Sequence, residues 1–526
     1  MDPLPLLVAV PLLAGFVLPL APKHRIRLTD FFALVTSAAL VALAIAALRQ
    51  PDCAYHVGGW GPRAGGPPLG ITLVLDGASK LMVLIIAVVT FAVILYSPSY
   101  MARFTGKRKF YSLFFLMVAG MNGVVLTGDM FNLFVFLEIA SIASYALVAF
   151  GCEKQELEAS FRYLVLGSIA SYMILLGVGL LYAKMGTVNM AHLSSKIAAA
   201  GGLAGAGPVT EAGKASALLI FATTLFICGL GLKAALVPFH AWLPDAHPSA
   251  PTPISAMLSG LLIKAIGVYA LTRVLFTVIG MSDVGTPTLC NLIMVLGILS
   301  MVGGGFLAIG QQDFKRLLAY SSISQVGYVI LGIGLATPLG IAAGLFHLLN
   351  HAIFKSLLFL NAGAVEYRTG TRRLDEMGGL NKRMPATGAT SFVGSMSIAG
   401  VPPFNGFFSK LLIILACVAA GRYVFASIAV VVSVITLGYF LKVQKQAFFG
   451  ALKDKWQHVR EVPTMMAASM ILLALLCLAT SALMFKGPRD FFLGHAQRSF
   501  TQRQRYVDRV MRPTTADARE STERMD

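Results

Sequence analysis

Long apolar runs recur from one end of the chain to the other, each closed by a short polar loop. Their length, about 20 residues, is what an α-helix needs to cross the hydrocarbon core of a bilayer. The pattern predicts about 14 spans at that length. They fall near 3–21, 29–48, 73–97, 110–127, 130–150, 160–183, 216–236, 254–277, 287–309, 317–335, 339–365, 386–418, 423–446 and 463–485. The fold expected is an all-α polytopic membrane protein. The first run is long enough to span and lacks a small-residue cleavage site, so no cleavable signal is expected.

Two spans are interrupted. In the stretch from Gly229 to Leu258, prolines at 238, 244, 248, 251 and 253 break the seventh helix just after Lys233. In the twelfth, Val401-Pro402-Pro403-Phe404-Asn405 does the same ahead of Lys410. A helix broken in lipid frees backbone groups, which is tolerated only where protein or a wet cavity covers them. Breaks of this kind in transporters form ion sites.

Composition agrees with the hydropathy pattern. The chain is 57% hydrophobic and 13% charged, about half the charged share of a soluble protein. Its net charge of +18 does not point to nucleic acid, because the basic residues cluster in alternate short loops, as topology signals do. These loops hold Lys23, Arg25 and Arg27; Arg103, Lys107, Arg108 and Lys109; Lys315 and Arg316; and Arg368, Arg372, Arg373, Lys382 and Arg383; the end of span thirteen and the loop after it hold Lys442, Lys445, Lys453, Lys455 and Arg460. The expectation is a plasma (inner) membrane protein with its basic loops cytoplasmic and both termini outside. The segment 486–526 mixes arginine with Asp and Glu and is read as a polar tail without a topological vote; a missed span is the alternative. The six cysteines form no CxxC pair, so a disulfide framework, zinc and iron–sulfur are not expected.

A weak internal repeat runs through the middle of the chain. Ser141-Ile142-Ala143-Ser144-Tyr145 is echoed by Ser322-Ile323-Ser324-Gln325-Val326. Span six closes at Gly186-Thr187 and span eleven at Gly370-Thr371, and the two proline breaks correspond. Five spans per unit would invert the second unit relative to the first, the plan of many transporters. The expected division is 1–109 for helices 1–3, 110–277 and 278–450 for the two units, 451–485 for the last helix and 486–526 for the tail.

Charges inside the spans supply the candidate chemistry. Glu138 has no other charge in its span, and pairing with Lys233 would let each control the other's protonation. Asp129 is read as the start of that helix, Asp76 as a helix-end residue, and Glu153, Glu156 and Glu158 as a solvated loop. Lys264 lies mid-span among leucine and isoleucine. His347, His351 and Lys355 are four residues apart and stack on one helical face, an arrangement suited to proton relay because histidine titrates near neutral pH. Lys410 would end the line. His240, Asp245 and His247, near the first break, are candidates for a proton entry or for capping broken helix ends. Each charge at the centre of a span costs about 2.5–3.5 kcal/mol on insertion scales, so a set this large argues for ion movement.

These residues carry a family resemblance. FNLFVFLEIASIASYALV, LKAALVPFHAWLPDAHPSAPTPISAMLSGLLIKAIGVYAL, FHLLNHAIFKSLLFLNAGAV and SIAGVPPFNGFFSK resemble the antiporter-like membrane subunits shared by respiratory complex I, membrane-bound hydrogenases and Mrp-type sodium/proton antiporters. The resemblance covers about residues 70 to 450. It implies 14 helices, two inverted five-helix units, broken helices seven and twelve, and a polar axis at mid-membrane. It implies a glutamate–lysine pair at Glu138 and Lys233, a bridging lysine at Lys264, a helix-eleven relay at His347, His351 and Lys355, and a terminal lysine at Lys410. Lysine at 410, where one complex I subunit type has glutamate, fits the Mrp D-type and hydrogenase-type members better.

The expected function is a proton-translocating subunit of a redox-driven membrane complex. The alternative is an Mrp-type sodium/proton antiporter subunit, and a third class is a scaffold or inorganic-carbon uptake partner. Expected partners are other membrane subunits of the same complex, the lipid bilayer, protons and, on the Mrp-type alternative, sodium, with no nucleic acid. No cofactor or metal site is recognisable, so no catalytic centre is expected within this chain.

Overall fold

The computed structural model describes residues 3–22, 26–62, 67–205 and 211–512. Lys23, Arg25 and the last part of the polar tail lie outside the described residues. Helices carry the chain because backbone groups in lipid must be met inside the protein. In order they are α1 (Pro3–Val17), α2 (Ile26–Arg49), α3 (Gly77–Tyr100), α4 (Lys107–Leu126), α5 (Met130–Val148), α6 (Lys154–Met185), α7 (Met190–Ala199), α8 (Glu211–Lys233) and α9 (Leu243–Ser249). Next, α10 (Thr252–Met257) runs through a π-helix (Leu258–Tyr269) into α11 (Ala270–Arg273). Then follow α12 (Pro287–Ile309), α13 (Phe314–Gly334), α14 (Pro338–Thr369), α15 (Pro385–Ala399), α16 (Asn405–Ala419), α17 (Tyr423–Val443) and α18 (Thr464–Ala479).

Among the described residues, twelve helices are long and apolar enough to cross a membrane, and two shorter apolar helices are Ala217–Lys233 and Asn405–Ala419. The shorter two adjoin the predicted breaks. Burial sorts the helices into layers. Every residue in the most apolar stretch of Thr252–Ile279 and of Pro338–Thr369 is buried, against 28% for α2. The two central helices are therefore those that carry Lys264 and the His347–His351–Lys355 face.

Local sequence explains the helix ends. Asp129 caps α5 by accepting from Asn132 N (2.8 Å), and Asp313 caps α13 by accepting from Arg316 N (2.9 Å). α6 and α14 each close on a left-handed glycine, Gly186 (φ 66°) and Gly370 (φ 71°). Just beyond those glycines, Asn189 pairs with Asp129 and Arg373 with Asp313 in isolated antiparallel bridges. The same closing device thus occurs twice at one constant offset along the chain, on opposite faces of the bundle.

Two additions to the expected helical fold lie on the face that carries both ends of the described chain. The fold is not wholly helical: β1 (Cys53–His56) pairs antiparallel with β2 (Thr72–Leu75), Ala54 opposite Val74. β1 lies outside the apolar runs, and β2 overlaps the start of the third, where a short apolar stretch reads alike as strand or helix. The segment after α18 is also more than a polar tail. It forms α19 (Lys486–Arg489), α20 (His495–Thr501) and α21 (Arg503–Met511), with Phe500, Tyr506 and Val510 buried. α20 approaches the first residue of α3 so closely that a Cβ on Gly77 would lie 2.4 Å from the His495 ring. Asp76, at the helix end as expected, also makes a two-pronged ion pair with Arg273 (2.7 and 2.9 Å), both side chains nearly inaccessible. Glu153 caps α6, and Glu156 and Glu158 lie in its first turns rather than in a loop.

Candidate ion-relay site

The first break begins where α8 ends at Lys233. The Leu232 carbonyl, which also accepts from Ala235 N (3.0 Å), accepts from Trp242 Nε1 (3.0 Å), and Val237 N donates to Ser300 Oγ (2.9 Å). With those groups met, the break is compatible with a membrane interior. The Lys233 ammonium lies 3.6 Å from Glu138 Oε1; the lysine is 1% exposed and the glutamate 26%. Lys233 also donates to Ser141 Oγ (2.9 Å) and Tyr145 OH (3.2 Å). Ser171 donates to the Glu138 carboxylate from α6. Tyr145 packs edge-on against Tyr163, which stacks on Trp242 at 4.2 Å. One aromatic column therefore joins the ion pair to the break.

Lys264 sits in the π-helical stretch, 1% exposed, and its ammonium donates to the carbonyl of Ser259. It makes no ion pair among the described residues. His347 and His351 stack at 6.2 Å between ring centres, as their spacing predicts. His347 is held from two sides, by Ser409 Oγ at Nδ1 (2.9 Å) and Gln325 Oε1 at Nε2 (3.2 Å). Both His351 nitrogens are buried without a partner among the described residues. Lys355 turns to α13, where it meets Leu318 O (2.7 Å) and Ser321 Oγ.

Lys410 follows the second break in sequence, yet its ammonium reaches back to Ile398 O (2.8 Å), with Ala399 O and Ser433 Oγ at 3.4 and 3.3 Å. It thereby meets the freed carbonyls at the end of α15, a position that suits a cation. Gly406 makes the return possible, since a Cβ there would fall 1.7 Å from Ser397 O. The Tyr328 ring lies 5.0 Å beneath the ammonium and Ser409, beside Lys410, holds His347. Both break lysines thus place their charge beside the end of the first half-helix.

The three entry candidates separate. Asp245 pairs with Arg162 (2.9 Å) and Arg316 (3.6 Å) in an open groove of about 310 Å³ on the basic face. His247 points inward, fully buried and edge-on to Phe359. His240 is half-buried in the break, its Nδ1 without a partner among the described residues.

Hydropathy missed several groups. Ser141, Tyr145 and Gln325 are visible in the sequence only as parts of the repeat, and for Ser171, Ser409 and Ser433 the one signal is a hydroxyl on an apolar helix. Lys315 reads as a loop charge, yet it is 2% exposed and paired with Glu366 at 2.8 Å. That pair lines a cavity of about 560 Å³ with Arg103, Glu156 and Arg372. Among the described residues no group of three or more His, Cys, Asp or Glu is arranged to hold a metal.

Residues 127–436 match the NADH:quinone oxidoreductase/Mrp antiporter transmembrane family, and residues 60–111 match the N-terminus of chain 5 of NADH-ubiquinone oxidoreductase (complex I). The chain is 38% identical to the N-type subunit of the NADH-quinone oxidoreductase of Desulforudis audaxviator, over 85% of this chain and 86% of the relative. It is 36% identical to the D-type subunit of the Na(+)/H(+) antiporter of Alkalihalophilus pseudofirmus, over 85% and 87%. In structure it is similar to a chain of the Mrp complex from Dietzia sp. (TM-score 0.85, 32% identical, covering 97% and 99% of the two chains). It is also similar to a chain of an archaeal membrane-bound sulfane sulfur reductase (TM-score 0.84, 32% identical, covering 97% and 100%). The chain belongs to the NADH:quinone oxidoreductase/Mrp antiporter family and is an antiporter-like, multi-pass membrane subunit.

Proposed function

We propose that this family member relays protons along a mid-membrane line from Glu138 and Lys233, past Lys264 and the His351–His347 stack, to Lys410, as one subunit of a redox-driven complex. The observation that carries the reading is the Glu138–Lys233 pair: a wholly buried ammonium 3.6 Å from a carboxylate that is a quarter exposed on the flank of the bundle. An opposite charge within about 4–6 Å alters proton affinity by about 10- to 1000-fold. A charge change beside Glu138 is therefore felt at Lys233. The chain contributes the relay, and the energy comes from a partner subunit or an existing gradient.

Protons reach the line from the basic face, where Asp245 and the Lys315–Glu366 pair line polar cavities. That face is cytoplasmic in a plasma (inner) membrane, and both chain ends lie outside. The doubled closing device, Asp129–Asn189 and Asp313–Arg373, supports two inverted units.

The test is proton flux in proteoliposomes that contain the intact complex. Glu138→Gln and Lys233→Ala lower flux at least tenfold while the complex still assembles; unchanged flux in assembled complex sinks the mechanism. Sodium/proton exchange is the second reading, favoured by the likeness to the D-type antiporter relative and the Mrp complex. A strict sodium requirement for the flux would select it.

A further inference from the structure

On the face that carries both ends of the described chain, two cavities meet beside α20. The larger, about 480 Å³, is lined by Asp52, Asp76, His495, Arg498, Arg505 and Arg509 among others. The smaller, about 280 Å³, runs between the end of α2 and the start of α3 and is lined by Leu48, Leu81, Phe491 and Phe492 among others. Asp52, His495 and Arg498 belong to both, so a charged chamber opens directly into a cleft whose wall of Leu48, Leu81, Phe491 and Phe492 is apolar and which also carries Lys80 and Asp490.

The chamber's charges are not balanced. The Asp76 carboxylate is met by Arg273, and Asp52 by Lys80 (2.9 Å), His495 (2.9 Å) and Arg509 (3.1 Å). Arg498 and Arg505 are exposed and make no side-chain bond or ion pair among the described residues. The chamber therefore keeps two unpartnered guanidiniums, groups whose planar fork suits phosphate oxygens. The cleft beside it touches Leu48 at the end of α2, the most lipid-facing of the long helices by burial, where Ile45, one turn away, is exposed. Phe485 (72% exposed) and Phe491 (61%) flank the same segment, as aromatics do at a membrane interface.

We propose that the Arg498–Arg505 chamber and the α2–α3 cleft together hold one anionic phospholipid, its phosphate between the two arginines and an acyl chain against Leu48, Leu81 and Phe491. A soluble phosphate would need the chamber alone; the apolar wall of the cleft, at the end of the lipid-facing α2, favours a lipid as the occupant. Its role is to fasten α19–α21 to the bilayer and so to the end of α3.

The experiment is lipid retention by the intact complex, purified in detergent and equilibrated with mixed phosphatidylglycerol and phosphatidylcholine vesicles, read by native mass spectrometry. One phosphatidylglycerol per copy of this chain is expected to be retained over phosphatidylcholine. Each basic group beside an anionic headgroup strengthens binding by about fivefold, so Arg498→Gln with Arg505→Gln weakens retention about 25-fold. Both side chains are exposed, so the variant folds. Phe491→Ser, which leaves the arginines in place, also reduces retention. Equal retention of both lipids, or no change in the double variant, overturns the proposal. So does displacement of the lipid by millimolar inorganic phosphate, which would mark a site for the ion alone.

Discussion

The Lys410 ammonium donates to the carbonyl of Ile398 at 2.8 Å, although the two residues lie on opposite sides of the second helix break. The lysine satisfies a helix end that the break would otherwise leave open. Lys410→Met removes the charge and keeps most of the volume. Flux in reconstituted complex is expected to fall at least tenfold, while Lys410→Arg retains part of it. Wild-type flux in Lys410→Met would remove this residue from the line.

Tyr145 offers a finer probe of the first pair. Its hydroxyl accepts from Lys233 at 3.2 Å, while its ring packs on Tyr163. Tyr145→Phe deletes only the hydroxyl, a loss of about 1 kcal/mol. The protein should therefore stay folded, with a measurable change in the pH profile of flux. A profile superimposable on wild type would show that the hydroxyl does not help set the proton affinity of Lys233.

Asp76 and Arg273 form a buried pair away from the relay. Removing one partner strands the other's charge, at a cost of about 3–5 kcal/mol. Arg273→Met should lower the unfolding temperature in detergent sharply, and Asp76→Leu combined with Arg273→Met should restore much of it. A double variant as unstable as the single one would contradict this account.

Asp52 ties three bases together. Burial pushes its carboxyl up, but the His495 hydrogen bond and the Lys80 and Arg509 charges outweigh that and hold it well below its ordinary value of 3.8. A depressed carboxyl contributes stability that is complete above the ordinary value and is lost as pH falls from there toward the folded value. Acidification below about pH 4 should therefore begin to release α20 and α21. Protease cleavage or hydrogen exchange within 486–511 would report it. Asp52→Asn should show that exposure already at neutral pH and little further change on acidification.

Much of the fold was legible in the sequence. Apolar runs marked the spans from Leu4 to Met484, because a bilayer sorts residues by local composition. Asp129, Gly186 and Gly370 marked helix ends through local backbone chemistry. The Glu138–Lys233 pairing was legible too, because unpaired charge is costly in lipid and the family motif names both residues. Spacing alone placed His347 over His351.

The tertiary structure decided what no local window contains. Lys355 shares the histidine face in sequence, but its ammonium goes to α13. His247 and Asp245 are two residues apart, yet one faces the core and the other a groove lined by three arginines. Lys315 looks like a loop charge until Glu366 reaches it, and the terminal segment looks like a loose tail until Asp52 meets Arg509. A residue's hydropathy reports how costly it is to bury. Which buried partner offsets that cost depends on helices far apart in sequence, and only their packing brings them together.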